Sequence, residues 1–84
     1  MTNSQDQTIE LRVQSAIARA LRLKSFDPAT PLRMGSTPGW DSMGHMSVVM
    51  EVEREFNASF PPYRLPELMD VPSIVTAVQN SPAK

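Results

Sequence analysis

PGWDSMGHM, residues 38–46, joins two unlike halves of the chain. Ahead of its end, from Lys24 to Asp41, fall Pro28, Pro31, Gly35, Pro38 and Gly39, and no periodic apolar run survives them. Beyond it, Met43, Met46, Val49, Met50, Val52 and Phe56 recur at helical spacing with Glu51, Glu53, Arg54 and Glu55 interleaved, the pattern of an amphipathic helix. The stretch is therefore a loop-to-helix junction, and it opens a helix over about residues 42–56. Asp41 or Ser42 caps that helix, because either side chain accepts a hydrogen bond from the free amides of a first turn.

Working outward toward the N-terminus, Ile9, Val13, Ala16, Ile17 and Ala20, with Leu21 at the flank, form an apolar stripe that predicts a helix over about residues 5–22. Ser4 with Gln7 fits a capping box and Asp6 suits a first turn, while Arg19, Arg22 and Lys24 gather where the helix dipole favours positive charge. Toward the C-terminus, NASFPPY stops the second helix. LPELMD forms at most a short turn, because Pro66 lacks a donor and restrains Leu65. Asp70 caps a last helix with Val71, Ile74, Val75 and Val78 on its apolar face, Pro72 in its first turn, and Asn80 with Pro82 closing it. With no strand alternation and no repeat, the expected fold is all-α: a small bundle of three main helices plus one short irregular helix, with a long loop between helices one and two. The expected organisation is a single domain over residues 1–84, with about 6–80 ordered and flexible termini. Leu23, Phe26, Leu32 and Trp40 pin the long loop to the core, and ordered loops of this length in small domains usually carry function.

Composition removes several function classes. A chain of 84 residues buries a modest share of its surface and encloses no deep, water-excluded pocket. Eight Lys or Arg against nine Asp or Glu give a net charge of -1, which provides no broad positive field for nucleic acid. With no Cys and one His, disulfide frameworks and thiolate or multi-histidine metal sites are excluded. No apolar stretch approaches bilayer length and the first residues, MTNSQDQT, are polar. The expectation is a soluble, cytoplasmic monomer with no membrane insertion.

GWDSMGHMSVVMEVEREF, residues 39–56, resembles the signature segment of the acyl carrier protein superfamily. In that family Asp-Ser followed by a large apolar residue opens the second helix, and the serine is the phosphopantetheine attachment site. The resemblance extends to EFNASFPP, like the stretch leaving helix two, and to DVPSIVTAV, like the start of the last helix. It covers about residues 6–80. It implies that Ser42 carries 4'-phosphopantetheine delivered from coenzyme A, with Asp41 the preceding aspartate and Met43 the apolar residue after it. The implied function is carriage of acyl or aminoacyl groups as thioesters by a non-catalytic protein. The implied partners are a phosphopantetheinyl transferase, an acyl-loading ligase or adenylating enzyme, and a downstream synthase or transferase. A cofactor thiol suits a chain that has no Cys.

Other residues near the junction have weaker signals. His45 lies three residues after Ser42 on one helical face, where it touches the arm or a partner surface, or is simply a solvated histidine. Met43, Met46 and Met50, with Met34 and Met69 elsewhere, suit a pliable acyl pocket, although methionines at this spacing are more often core. Trp40 shields the junction, docks a partner, or, more commonly for an aromatic, anchors the loop. Two rival classes use the same residues. A hydrolase built from Ser42, His45 and Asp41 fails on geometry, since neighbours on one turn do not surround a substrate, and WDSMG lacks the first glycine of a nucleophile elbow. A small helical interaction module without a prosthetic group fits the helices alone, but the long loop is too long for a DNA-binding helix-turn-helix.

Departures from the family pattern narrow the implied role. Gly44 and Ser47 stand where the outer face of helix two is usually acidic, Arg54 interrupts the later acidic run, and Arg33 follows Leu32 where an acidic residue is usual. The loop is a few residues longer and Pro66 shortens the third element. Weaker charge attraction to a general fatty-acid synthase follows. The expectation is a freestanding carrier of a specialised biosynthetic pathway, loaded with an amino, hydroxy or short acyl group.

Overall fold

The structure, a computed structural model, describes residues 4–80 other than Phe26 and Pro28, and of residues 4–7 the backbone alone. The expected capping box of Ser4 and Gln7, the side chain of Asp6, the Phe26 anchor and Pro82 lie outside the described residues. Among the described residues three α-helices form: α1 (Ser4–Leu21), α2 (Ser42–Phe56) and α3 (Val71–Asn80), with a six-residue 3-10 helix at Pro62–Glu67 ahead of α3. The fold is all-α, and a long loop separates α1 from α2 as expected.

In α1, Val13, Ala16 and Ile17 are completely buried, and Ile9, Ala20 and Leu21 pack against them. The helix ends where Arg22 turns left-handed at φ +57. The Leu23 amide then reaches back to the Ala18 carbonyl at 2.9 Å and that of Arg22 to Arg19 at 3.2 Å, a Schellman closure with arginine where glycine is favoured. Against α1 pack both α2 and α3, and α3 contributes Val71, Ile74 and Ala77 to the shared core. Asp70 caps α3 as the sequence predicts, its Oδ1 accepting the Ser73 amide at 2.9 Å. The 3-10 helix starts earlier than the LPELMD turn, at Pro62, and includes Pro66. Short 3-10 geometry tolerates that proline because few backbone bonds depend on its missing N–H.

The orientation of α2 corrects the sequence reading. Its buried face is His45, Val48, Val49 and Val52, with Phe56 packed beside them. Met43, Met46 and Met50 are 85%, 49% and 59% exposed, so they are neither core filler nor the lining of an interior acyl pocket. Ion pairs to α1 flank this buried face. Arg12 Nε donates to Glu55 at 2.8 Å, and Arg19 donates to Glu51 and Glu55, each at 2.9 Å. The Arg12 guanidinium also lies 4.4 Å from the centre of the Phe56 ring, a cation–π contact. These exposed pairs contribute only about 0.2–1 kcal/mol each, less than the burial of Val48, Val49 and Val52, which turns this side of α2 to the core.

Two carboxylates make this fold acid-sensitive. Arg12, by its hydrogen bond, holds the Glu55 carboxyl below its ordinary value. Ser73 does the same for Asp70 through its hydroxyl and its amide. A folded-state value below the unfolded one gives stability above the ordinary carboxylate range that disappears as pH falls through the folded value. The melting temperature should therefore hold from pH 7 to about 5 and decline below about pH 4.5. Asp70→Asn should flatten that decline when thermal melts are followed by circular dichroism across the range.

Candidate functional site at the loop to helix junction

The long loop reaches α2 through two hydrogen-bonded turns. Met34 N donates to Met69 O at 2.8 Å, which ties the loop to the segment preceding α3, and Leu32 is buried beside it. Arg33 N donates to the hydroxyl of buried Thr37 at 2.8 Å. Thr37–Trp40 then closes a β-turn with Trp40 N on Thr37 O at 3.0 Å. Pro38 occupies its second position and Gly39, at φ +84, its third, as a type II turn requires. The turn drives Trp40 into the core and leaves Asp41 and Ser42 outside.

Trp40 is 1% exposed and His45 7%. The rings stack with centroids 6.1 Å apart. The indole Nε1–H donates to His45 Nδ1 at 2.9 Å, and His45 Nε2 lies 2.8 Å from the Leu65 carbonyl oxygen. With Nδ1 accepting, the ring proton sits on Nε2 and is donated to that carbonyl. One side chain thus clamps three segments: the turn, the first turn of α2 and the 3-10 helix. His45 is therefore no solvated histidine or arm contact, which corrects the expectation, whereas Trp40 anchors the loop on the core as expected and, being enclosed, offers no surface to a partner.

Asp41, not Ser42, is the cap. Its backbone is extended, and its Oδ1 accepts the Gly44 amide at 2.8 Å. Ser42 follows as the first helical residue, exposed and with no part in the cap. Its neighbour Met43 stands outward. Gly44 has a different task from the lost charge the sequence suggests: a Cβ there would collide with the Gly39 carbonyl oxygen and press on Leu21. Only glycine lets the turn and helix approach so closely. Gly44→Ala should destabilise by about 1–3 kcal/mol, measurable as a lowered urea midpoint at unchanged m-value, because the obstacle is backbone rather than a movable side chain.

The chemistry open to this arrangement follows from what is engaged. Both His45 nitrogens are bound elsewhere and Asp41 serves the Gly44 amide, so Ser42, His45 and Asp41 do not assemble as nucleophile, base and orienting acid. Ser42 instead offers an exposed hydroxyl at the positive end of a 15-residue helix dipole, a setting that favours an attached anionic group. Among the described residues no three His, Asp or Glu gather to hold a metal ion, and no helix is long and apolar enough to cross a membrane. The sequence reading missed the Trp40–His45–Leu65 clamp and the Gly39–Gly44 contact. Only a glycine inside a helical run hinted at the latter. Comparison with family models, with curated proteins and with solved structures gives no match.

Proposed function

We propose that the chain is a carrier protein, with Ser42 the attachment point for a 4'-phosphopantetheine arm. The observation that supports the reading best is a division of labour at the junction. Trp40, His45, Gly39, Gly44 and Asp41 each hold the loop-to-helix corner in place, while the residue they present, Ser42, has no part in the cap and stands exposed. A rigid scaffold around a structurally idle hydroxyl is what a modification site needs.

The residues present fit such an arm. The phosphodiester would sit on Ser42 Oγ at the first turn of α2, where the helix dipole offsets its charge. Asp41, held to the Gly44 amide, keeps the helix start formed and so keeps Ser42 outward. Met43, next to it and almost fully exposed, gives the arm and a modifying enzyme an apolar edge. When bound, the arm supplies a terminal thiol that carries an acyl or aminoacyl group as a thioester. Activation of the Ser42 hydroxyl is left to a separate transferase, which brings metal, base and coenzyme A to the exposed corner. The cargo-loading partner in this reading is an adenylating ligase, and the receiving partner a synthase or transferase of a specialised pathway.

Because the chain has no Cys, any thiol it acquires reports the arm. Incubation with coenzyme A, Mg2+ and a promiscuous phosphopantetheinyl transferase, followed by desalting and thiol titration, should give one thiol per chain. A protein that remains free of thiol with several transferases is instead a helical interaction module.

A further inference from the structure

We propose that the hollow between α1, the long loop and the start of α3 is a binding site for a basic α-amino acid. The hollow has a volume of about 320 Å³, at the lower end of small-molecule sites. No residue of the Ser42 corner lines it, so the site is separate from the carrier reading and stands with or without it. Its walls are fixed by the fold. Leu32 from the loop and Val71 from α3 form the buried apolar part of the lining. The loop wall is tied to the segment ahead of α3 by an antiparallel bridge between Arg33 and Asp70, and by the Met34 amide on the Met69 carbonyl at 2.8 Å. A wall held in this way needs little ordering when a ligand arrives, which lowers the cost of binding.

The charged and polar groups of the lining select the ligand. Glu10 and Gln14 stand four residues apart, on one face of α1. Among the described residues Glu10 makes no ion pair or side-chain hydrogen bond, and neither does the Arg33 guanidinium, so both are open to a ligand. Asp70 is the third charge. It caps α3 through the Ser73 amide at 2.9 Å and keeps its negative charge, with Ser73 and, less strongly, Arg33 holding its carboxyl below the ordinary value. The lining therefore sets two carboxylates against one guanidinium. An α-amino acid with a second amine complements that set. Its carboxylate meets the Arg33 fork, its two ammonium groups meet Glu10 and Asp70, and its methylenes lie on Leu32 and Val71. Its net positive charge offsets the surplus carboxylate. Gln14, only 4% exposed, is the buried polar side chain among the described residues of the lining, and its carboxamide favours a polar ligand over a purely apolar one.

The probe is free L-lysine, titrated into the unloaded, isotope-labelled chain at low salt and followed by backbone amide shifts. Norleucine, which lacks the second amine, and pentane-1,5-diamine, which lacks the carboxylate, are the controls. Lysine should give saturable shifts centred on Glu10, Gln14, Leu32, Arg33 and Val71. Each control should bind at least about tenfold more weakly, because each forgoes one charge-assisted contact. Arg33→Gln should weaken lysine about tenfold and leave the diamine no weaker, whereas Glu10→Gln should weaken both. Since both side chains are exposed, unchanged circular dichroism of the variants serves as the folding control. No saturable shift up to about 20 mM lysine, equal binding of either control, shifts centred away from the hollow, or full lysine affinity in either variant would each overturn the proposal. Thiol gain at Ser42 is read on separate samples, and its failure overturns the carrier reading while leaving this titration interpretable.

Discussion

Ser42→Ala should lose all thiol gain on treatment with coenzyme A and transferase, while its thermal midpoint stays within about 4 °C of the parent. The two halves of that result come from one piece of geometry. The amide at Gly44 is capped by Asp41 Oδ1, so removal of the Ser42 hydroxyl breaks no capping bond, and an exposed substitution of this kind changes stability by no more than about 0.5 kcal/mol. Alanine's better helix propensity pushes the small change toward stabilisation. Asp41→Ala is the counterpart: it retains the hydroxyl but loses the cap, at a cost of about 0.5–2 kcal/mol. Its loading should be slowed rather than abolished, because the serine remains while the helix start that presents it frays. If Ser42 were the cap, the stability effects of the two variants would be reversed.

The largest effect on stability should come from Trp40→Ala. That change empties the biggest completely buried side chain of the core and costs about 3–5 kcal/mol. It also strips His45 Nδ1 of its donor, leaving a buried acceptor unsatisfied. For a domain of this size each kcal/mol lowers the midpoint by about 4–8 °C, so a fall of about 12 °C or more is expected, or failure to fold. Trp40→Phe separates the contributions: the ring is largely kept and the indole donor lost, for about 1–3 kcal/mol from the unpaired imidazole nitrogen. Both variants should slow loading of Ser42, since the clamp from the turn through His45 to the Leu65 carbonyl is what sets the corner. Full stability of Trp40→Ala would mean that the loop is held chiefly by Leu32 and the Met34–Met69 hydrogen bond.

Much of this architecture is readable from local sequence because its signals are local. Asp70 followed by an apolar stripe gives α3 and its cap, and the proline-rich stretch ahead of Asp41 gives the start of α2 at Ser42. Which face of α2 turns inward is not local. Met43, Met46 and Met50 share one helical stripe and His45, Val48, Val49 and Val52 another, and periodicity alone does not rank them. The choice is made by tertiary packing: Val48, Val49 and Val52 join a core built with residues of α1 and α3 far away in sequence, and Arg12 and Arg19 reach glutamates 32 to 43 residues away at its edge. His45 was hidden for the same reason: its burial depends on a carbonyl 20 residues away. An isolated polar side chain carries no sign of such a partner. Gly44 was legible as an oddity, a helix-interior glycine costing about 1 kcal/mol against alanine, but its cause, the Gly39 carbonyl, appears only once the turn is folded.

Intact and fragment mass spectrometry of the transferase-treated protein tests the central claim most directly, because exposed serines at 25, 36, 47 and 59 compete with Ser42 as acceptors in the same sample. A single phosphopantetheine per chain, with every modified fragment placing it on Ser42, is the predicted result. Modification spread over several serines, or confined to one other than Ser42, would contradict the claim that this junction is built to present that hydroxyl.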